Sequence, residues 1–86
     1  MRGLIKGIDI VNLKEQAYLL KLGQRIKTLR MERGCDQKSF AFDCDIGRTQ
    51  LYMIEYGKTN PRLLTLMKIA AGFEMTLEEF LGEGVD

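Results

Sequence analysis

The sequence predicts an all-α domain of five helices with a short N-terminal extension, on three observations. From Leu13 onward, apolar residues recur at three- and four-residue steps, the period of an amphipathic helix. That pattern is cut at short intervals by Gly34, Gly47, Gly57, Gly72 and Gly82, with capping residues ahead of several restarts. Strand-like alternation is confined to the first dozen residues, too little to organise a core.

Met1 to Asn12 holds Gly3 and Gly7 among the apolar Leu4, Ile5, Ile8, Ile10 and Val11, which suits a short strand, an arm or a docked extension equally. A first helix follows from about Leu13, through Leu13, Ala17, Leu20, Leu22, Ile26 and Leu29, and Gly34 ends it. Asp36 is the expected N-cap of a second helix, from Gln37 to about Asp43, with Phe40, Ala41 and Cys44 inward. Asp45-Ile46-Gly47 breaks it. A third helix is expected from Arg48 to Glu55, burying Leu51 and Ile54 and closed by Gly57. Asn60-Pro61 reads as cap and first position of a fourth helix carrying Leu63, Leu66, Met67 and Ala70 and stopping near Gly72. Thr76-Leu77-Glu78-Glu79 sets a capping box ahead of a last helix with Leu77, Phe80 and Leu81 apolar. No repeat or linker marks a second domain. The one boundary expected lies near Lys21, between an extension over 1–21 (arm or added helix) and a compact domain over 22–86.

Composition narrows the function. With 86 residues, 45% hydrophobic and 29% charged, the chain describes one small soluble domain. Such a chain buries roughly 60–65% of its unfolded surface, so a deep cleft would compete with the core, and binding is favoured over catalysis. A carboxylate pair such as Glu78 with Glu83 would have little room to form one. Histidine is absent, which removes triads and Cys/His zinc sites; no metal or cofactor is expected. Cys35 and Cys44 form no CxxC pair, and neither a signal peptide nor an apolar run near the roughly 20 residues of a membrane span is visible, so reduced thiols in the cytoplasm are expected. Net charge is +1, yet Met1–Phe40 has nine basic residues against four acidic, +5, leaving −4 for Ala41–Asp86. One end could face a polyanion while the acidic end, with Glu74, Glu78, Glu79, Glu83 and Asp86, faces away.

The stretch Gln37 to Glu55 has the spacing of a short helix, a tight turn and a second short helix, with small Ala41 where the two would cross. With LGQRIKTLRMERG before it, YGKTNPRLLTLMKIA after it and MTLEEFL at the end, it resembles the phage-repressor and Cro-like (lambda-repressor-like, xenobiotic-response-element) family of helix-turn-helix DNA-binding domains, over Leu22 to Leu81. The resemblance implies base contacts from Arg48, Thr49 and, one turn on, Met53. It implies phosphate contacts from Gln37 and from the loop of Lys58, Thr59 and Asn60, and Lys38 and Gln50 are expected to join them. It pairs Arg30 with Glu55. The chemistry suits these roles: an arginine can present two donors to guanine O6 and N7, a threonine suits a thymine edge, and amides and lysines hold phosphates.

The chain departs from the family pattern at Asp45 and Gly47, where Gly and then Ser or Thr are usual, and in the outward Tyr52, Met53 and Tyr56, where polar residues are usual. These last suit either thymine methyls or a protein partner. Tyr18, Phe42 and Phe73 are expected as packing for the extension; Phe42 suits either an exposed aromatic or an anchor for residues before Lys21 or for a second subunit. The expected function is therefore a cytoplasmic transcriptional regulator, a dimeric repressor of operator DNA, with the dimer formed around Met75–Leu81 or through the N-terminal segment. The alternative is an antitoxin or restriction-system accessory subunit whose main partner is a protein such as a toxin.

Overall fold

The computed structural model describes residues 4–5 and 8–82. Five helices follow one another: α1 (Ile10–Glu32), α2 (Gln37–Asp43), α3 (Arg48–Glu55), α4 (Leu63–Gly72) and α5 (Leu77–Gly82). Ahead of them, β1 (Leu4–Ile5) pairs antiparallel with β2 (Ile8–Asp9), Leu4 opposite Asp9 and Ile5 opposite Ile8. Of the three forms open to the first dozen residues, a minimal strand pair leading into the helix is the one found, and the fold is otherwise helical.

α1 is longer than expected. Its 23 residues run without a break through Lys21, so the expected boundary between extension and domain falls inside a helix of roughly 34 Å. Nothing between Ile10 and Leu22 interrupts it: Gly and Pro are absent there. Gly23, the next residue, serves an approach rather than a break, since a Cβ at this point would run into the carbonyl oxygens of Ile54 and Glu55 on α3. Further back along α1, Leu20 lies against Gly57, whose φ is +67 and whose added Cβ would stand 2.9 Å from the Leu20 side chain. Two glycines thus let α1 press on α3 and on the turn after it.

The core gathers Leu22 and Ile26 of α1, Phe40, Ala41 and Cys44 of the α2 region, Leu51 and Ile54 of α3, Ile69 and Ala70 of α4, then Phe73 and Phe80. Phe40 and Phe73 stack with centroids 4.4 Å apart, and Phe73 and Phe80 follow at 6.1 Å. Phe73 is therefore core and no packing for an extension. Phe42 is 84% exposed and Tyr18 is exposed as well.

One helix start differs from the expectation. α4 begins at Leu63, with Arg62 as an N-cap that makes no side-chain capping bond, so Asn60 and Pro61 stay in the loop. A residue before proline is held in extended geometry, which suits a cap or a loop alike, and here the extended backbone continues through Arg62 (ψ 156). The inward face becomes Leu66, Ile69, Ala70 and Phe73, and the first turn overhangs the core. Leu63 and Met67, two of the apolar residues that helix carries, are 61% and 47% exposed. The last helix follows the expectation: Thr76 N–H donates to Glu79 Oε1 at 2.8 Å, and Glu79 N–H donates to Thr76 Oγ1 at 3.1 Å.

Candidate nucleic-acid interface

The site is built from α2, the turn after it, α3 and the loop before α4. Asp36 starts it by accepting the Ser39 N–H at 2.8 Å. These Ser39 bonds, with Arg48 and Lys38 nearby, hold the Asp36 carboxyl below the ordinary aspartate range. After α2 the chain reverses at Asp45, in left-handed geometry at φ 58. Ile46 N–H then donates to the Ala41 carbonyl at 3.0 Å, and half-buried Ile46 packs against the core. Aspartate takes this conformation more readily than most side chains, which is why the turn forms without glycine. Gly47 precedes α3 in extended geometry with no side chain to cap it, so the first N–H groups of α3 are left for another acceptor.

α3 divides sharply. Leu51, Ile54 and Glu55 are buried, Met53 is half-buried, and Arg48, Thr49, Gln50, Tyr52 and Tyr56 are exposed. Leu51 and Ile54 thus bolt the helix to the core while its first turn stays polar and open. Gly57 closes it, and the Lys58 N–H donates to the Met53 carbonyl at 2.9 Å, fixing where the loop leaves. Lys58 and Asn60 are exposed and Thr59 is half-buried.

Glu55 anchors the far end. Its side chain is fully buried and receives Arg30 Nε at 2.7 Å on Oε2 and Arg30 Nη2 at 3.1 Å on Oε1. Gln37 Nε2 donates to the same Oε1 at 3.0 Å, and Arg30 Nη1 donates to the Cys35 carbonyl at 2.7 Å. The Glu55 bond pushes the Arg30 guanidinium to a still higher pKa, so the cation persists at any working pH. One carboxylate therefore ties α1, α2 and α3 together. Reading the chain gave Gln37 only a phosphate; the structure adds a bond that fixes where that amide stands.

The expected contact residues ring α3. Gln37, Arg48, Thr49 and Tyr52 line a shallow concavity of about 400 Å³. Lys38 shares another with Arg48 and Phe42. Gln50 faces Thr59, Asn60 and Arg62 across a third, and Lys58, Thr59 and Asn60 form one wall of a fourth whose other wall is Asn12, Glu15, Gln16, Tyr18 and Leu19 of α1. Met53 lines none of these. Two features had escaped the reading of the chain. Tyr52 and Tyr56 pair ring to ring, centroids 4.6 Å apart, and Lys27 Nζ lies 5.4 Å from the Tyr56 centroid. The i, i+4 spacing of the tyrosines carried the first signal; nothing local pointed to Lys27, a helix away. Among the described residues no cluster of side chains could hold a metal ion, and no helix is long and apolar enough to cross a membrane.

A family model described as Helix-turn-helix (HTH_3) matches residues 26–80, from mid-α1 into α5. The chain belongs to the helix-turn-helix family. Among its relatives, the control protein C.MunI of a Mycoplasma species is 40% identical over 65 residues, 74% of this chain and 88% of that protein. The transcriptional regulator DdrOP3 of Deinococcus deserti is 39% identical over 67 residues, 78% of this chain but only 51% of the relative. Among solved structures, the restriction-modification controller protein C.AhdI of Aeromonas hydrophila is similar with a TM-score of 0.71 and 31% identity, covering 74% of this chain and 97% of that one. The family match to this helix-turn-helix chain begins at Ile26, sixteen residues into α1.

Proposed function

We propose that this protein is a DNA-binding transcriptional regulator that grips operator DNA as a homodimer, with α3 in the major groove. The observation that carries the reading is the division of α3: buried side chains fix it to the core, while Arg48, Thr49 and Gln50 stand open on its first turn. Arg48 and Thr49 read base edges. Gln37, Lys38, Gln50, Lys58, Thr59, Asn60 and the uncapped N–H groups of α3 hold phosphates, which set register and give affinity that falls with salt. Gln37 suits this because an amide nitrogen carries two hydrogens and its bond to Glu55 uses one of them. A single recognition helix touches too few base pairs to select one site in a genome, and a two-fold pair doubles the count. The relatives named as control and controller proteins suggest that the genes it regulates include those of a restriction-modification system. Repression is the simplest outcome, by occupying a promoter.

Equilibrium binding to an operator duplex and to a scrambled duplex, at several salt concentrations, tests this. Arg48→Ala should erase most of the preference for the operator while leaving the salt slope nearly intact. Lys58→Ala should weaken both duplexes alike and reduce the slope by about 1. Equal binding of both duplexes by the unaltered protein would overturn the reading.

A further inference from the structure

The outward stripe of α3 runs through Arg48, Tyr52 and Tyr56, at successive i, i+4 positions. The resemblance placed the downstream base contact at Met53, yet Met53 is half-buried beside the stripe. Tyr52 and Tyr56 are 41% and 43% exposed. A surface tyrosine ordinarily samples several rotamers, but here Tyr56 packs on the Tyr52 ring and also has the Lys27 ammonium of α1 over its own ring. Tyr52 is thereby held in the same concavity as Arg48, Thr49 and Gln37. Its neighbours there are polar donors rather than further apolar groups, which suits a nucleic acid better than the apolar centre of a protein interface.

We propose that Tyr52, and not Met53, is the downstream base-reading side chain of α3, one turn beyond Arg48 and Thr49, its ring packed on the C5 methyl of a thymine, with Tyr56 and Lys27 as positioning residues. The inference rests on α3 entering the major groove as proposed above. The thymine methyl is the apolar group that the major groove displays, so it is the feature a ring can distinguish there. Four residues advance a helix by about 6 Å, and successive bases on one strand are about 3.4 Å apart. The thymine therefore lies about two base pairs from the base read by Arg48.

The test is selection of bound duplexes by the full chain and by Tyr52→Ala, Tyr52→Phe and Met53→Ala, followed by replacement of the selected thymine with uracil, which deletes only the methyl group. Tyr52→Ala should relax one thymine column and leave the Arg48 column unchanged, whereas Tyr52→Phe keeps both. Uracil should weaken the unaltered protein by about fourfold, the worth of one buried methyl, and leave Tyr52→Ala unaffected. Thermal melting of each variant separates this from a loss of fold. If Met53→Ala relaxes the column and Tyr52→Ala does not, or if uracil weakens both proteins equally, the assignment to Tyr52 is wrong while α3 still reads DNA. If the unaltered chain enriches no sequence, the reading of α3 as a DNA helix fails and takes the assignment with it, leaving the tyrosine face as a surface for a protein.

Discussion

Glu55 illustrates how single residues serve both the fold and the site. Its buried carboxylate balances Arg30 and places Gln37, so its loss should be felt twice. Arg30→Ala and Glu55→Ala each strand a charge in the interior, and each should lower stability by about 3–5 kcal/mol in chemical denaturation. The cysteines make a second test at this scale. Burial pushes the Cys44 thiol up to about 11, and beside it Cys35 is half-buried. Alkylation of the native protein at pH 8 should modify Cys44 only after denaturant is added; rapid labelling of both thiols without denaturant would contradict its burial. The side chains were unequally legible. Arg30 and Glu55 lie 25 positions apart and nothing local links them, so only the family resemblance paired them. The brace from Lys27 to Tyr56 joins two helices and has no family pattern to announce it.

The helices were legible where their ends carry chemistry of their own. α2 and α3 begin and end where Asp36, Gly47 and Gly57 place them, and the Thr76–Glu79 box opens α5, because a cap, a left-handed residue or a reciprocal pair acts over three or four residues. Asn60-Pro61 carried as strong a local signal and α4 still starts at Leu63, since burying Leu66, Ile69 and Phe73 is decided by distant elements. The boundary expected near Lys21 is no break in the backbone, since α1 runs through it, but it coincides with a change in packing: Asn12 to Lys21 are exposed apart from half-buried Leu19, and burial begins at Leu22. Pressing α1 onto α3 requires Gly23, so Gly23→Ala should cost about 1–3 kcal/mol by forcing the helices apart. An unchanged melting temperature for that variant would show that the crossing is looser than described. The Asp36 cap makes α2 sensitive to acid. Its folded-state pKa is lowered, so its contribution is present above the unfolded value of about 4 and disappears as pH falls through the folded one. Asp36→Ala should therefore melt below the unaltered protein at neutral pH, and the gap should close in strong acid.

At the scale of the molecule, α1, α4 and α5 are the frame, and α2, the Asp45 turn and α3 are the part proposed to meet DNA. Arg25 Nε reaches the Phe80 carbonyl at 2.8 Å, and Arg33 bonds Glu74 at 2.9 Å, so α1 also fastens the C-terminal end of the domain. The frame was readable because it follows from periodicity and punctuation. The face proposed to meet DNA was readable only as chemistry at fixed spacing, and the proposal of Tyr52 over Met53 came from exposure, Met53 being half-buried and Tyr52 open. The central claim is that two copies of this framework read a symmetric operator through Arg48. Selection from a random duplex pool at moderate salt, run beside Arg48→Ala, tests it most directly. The expected result is a two-fold symmetric site with half-sites about one helical turn apart, and loss of one base column in each half for the variant. A pool left unenriched, with weak and steeply salt-dependent retention of all DNA, would contradict it.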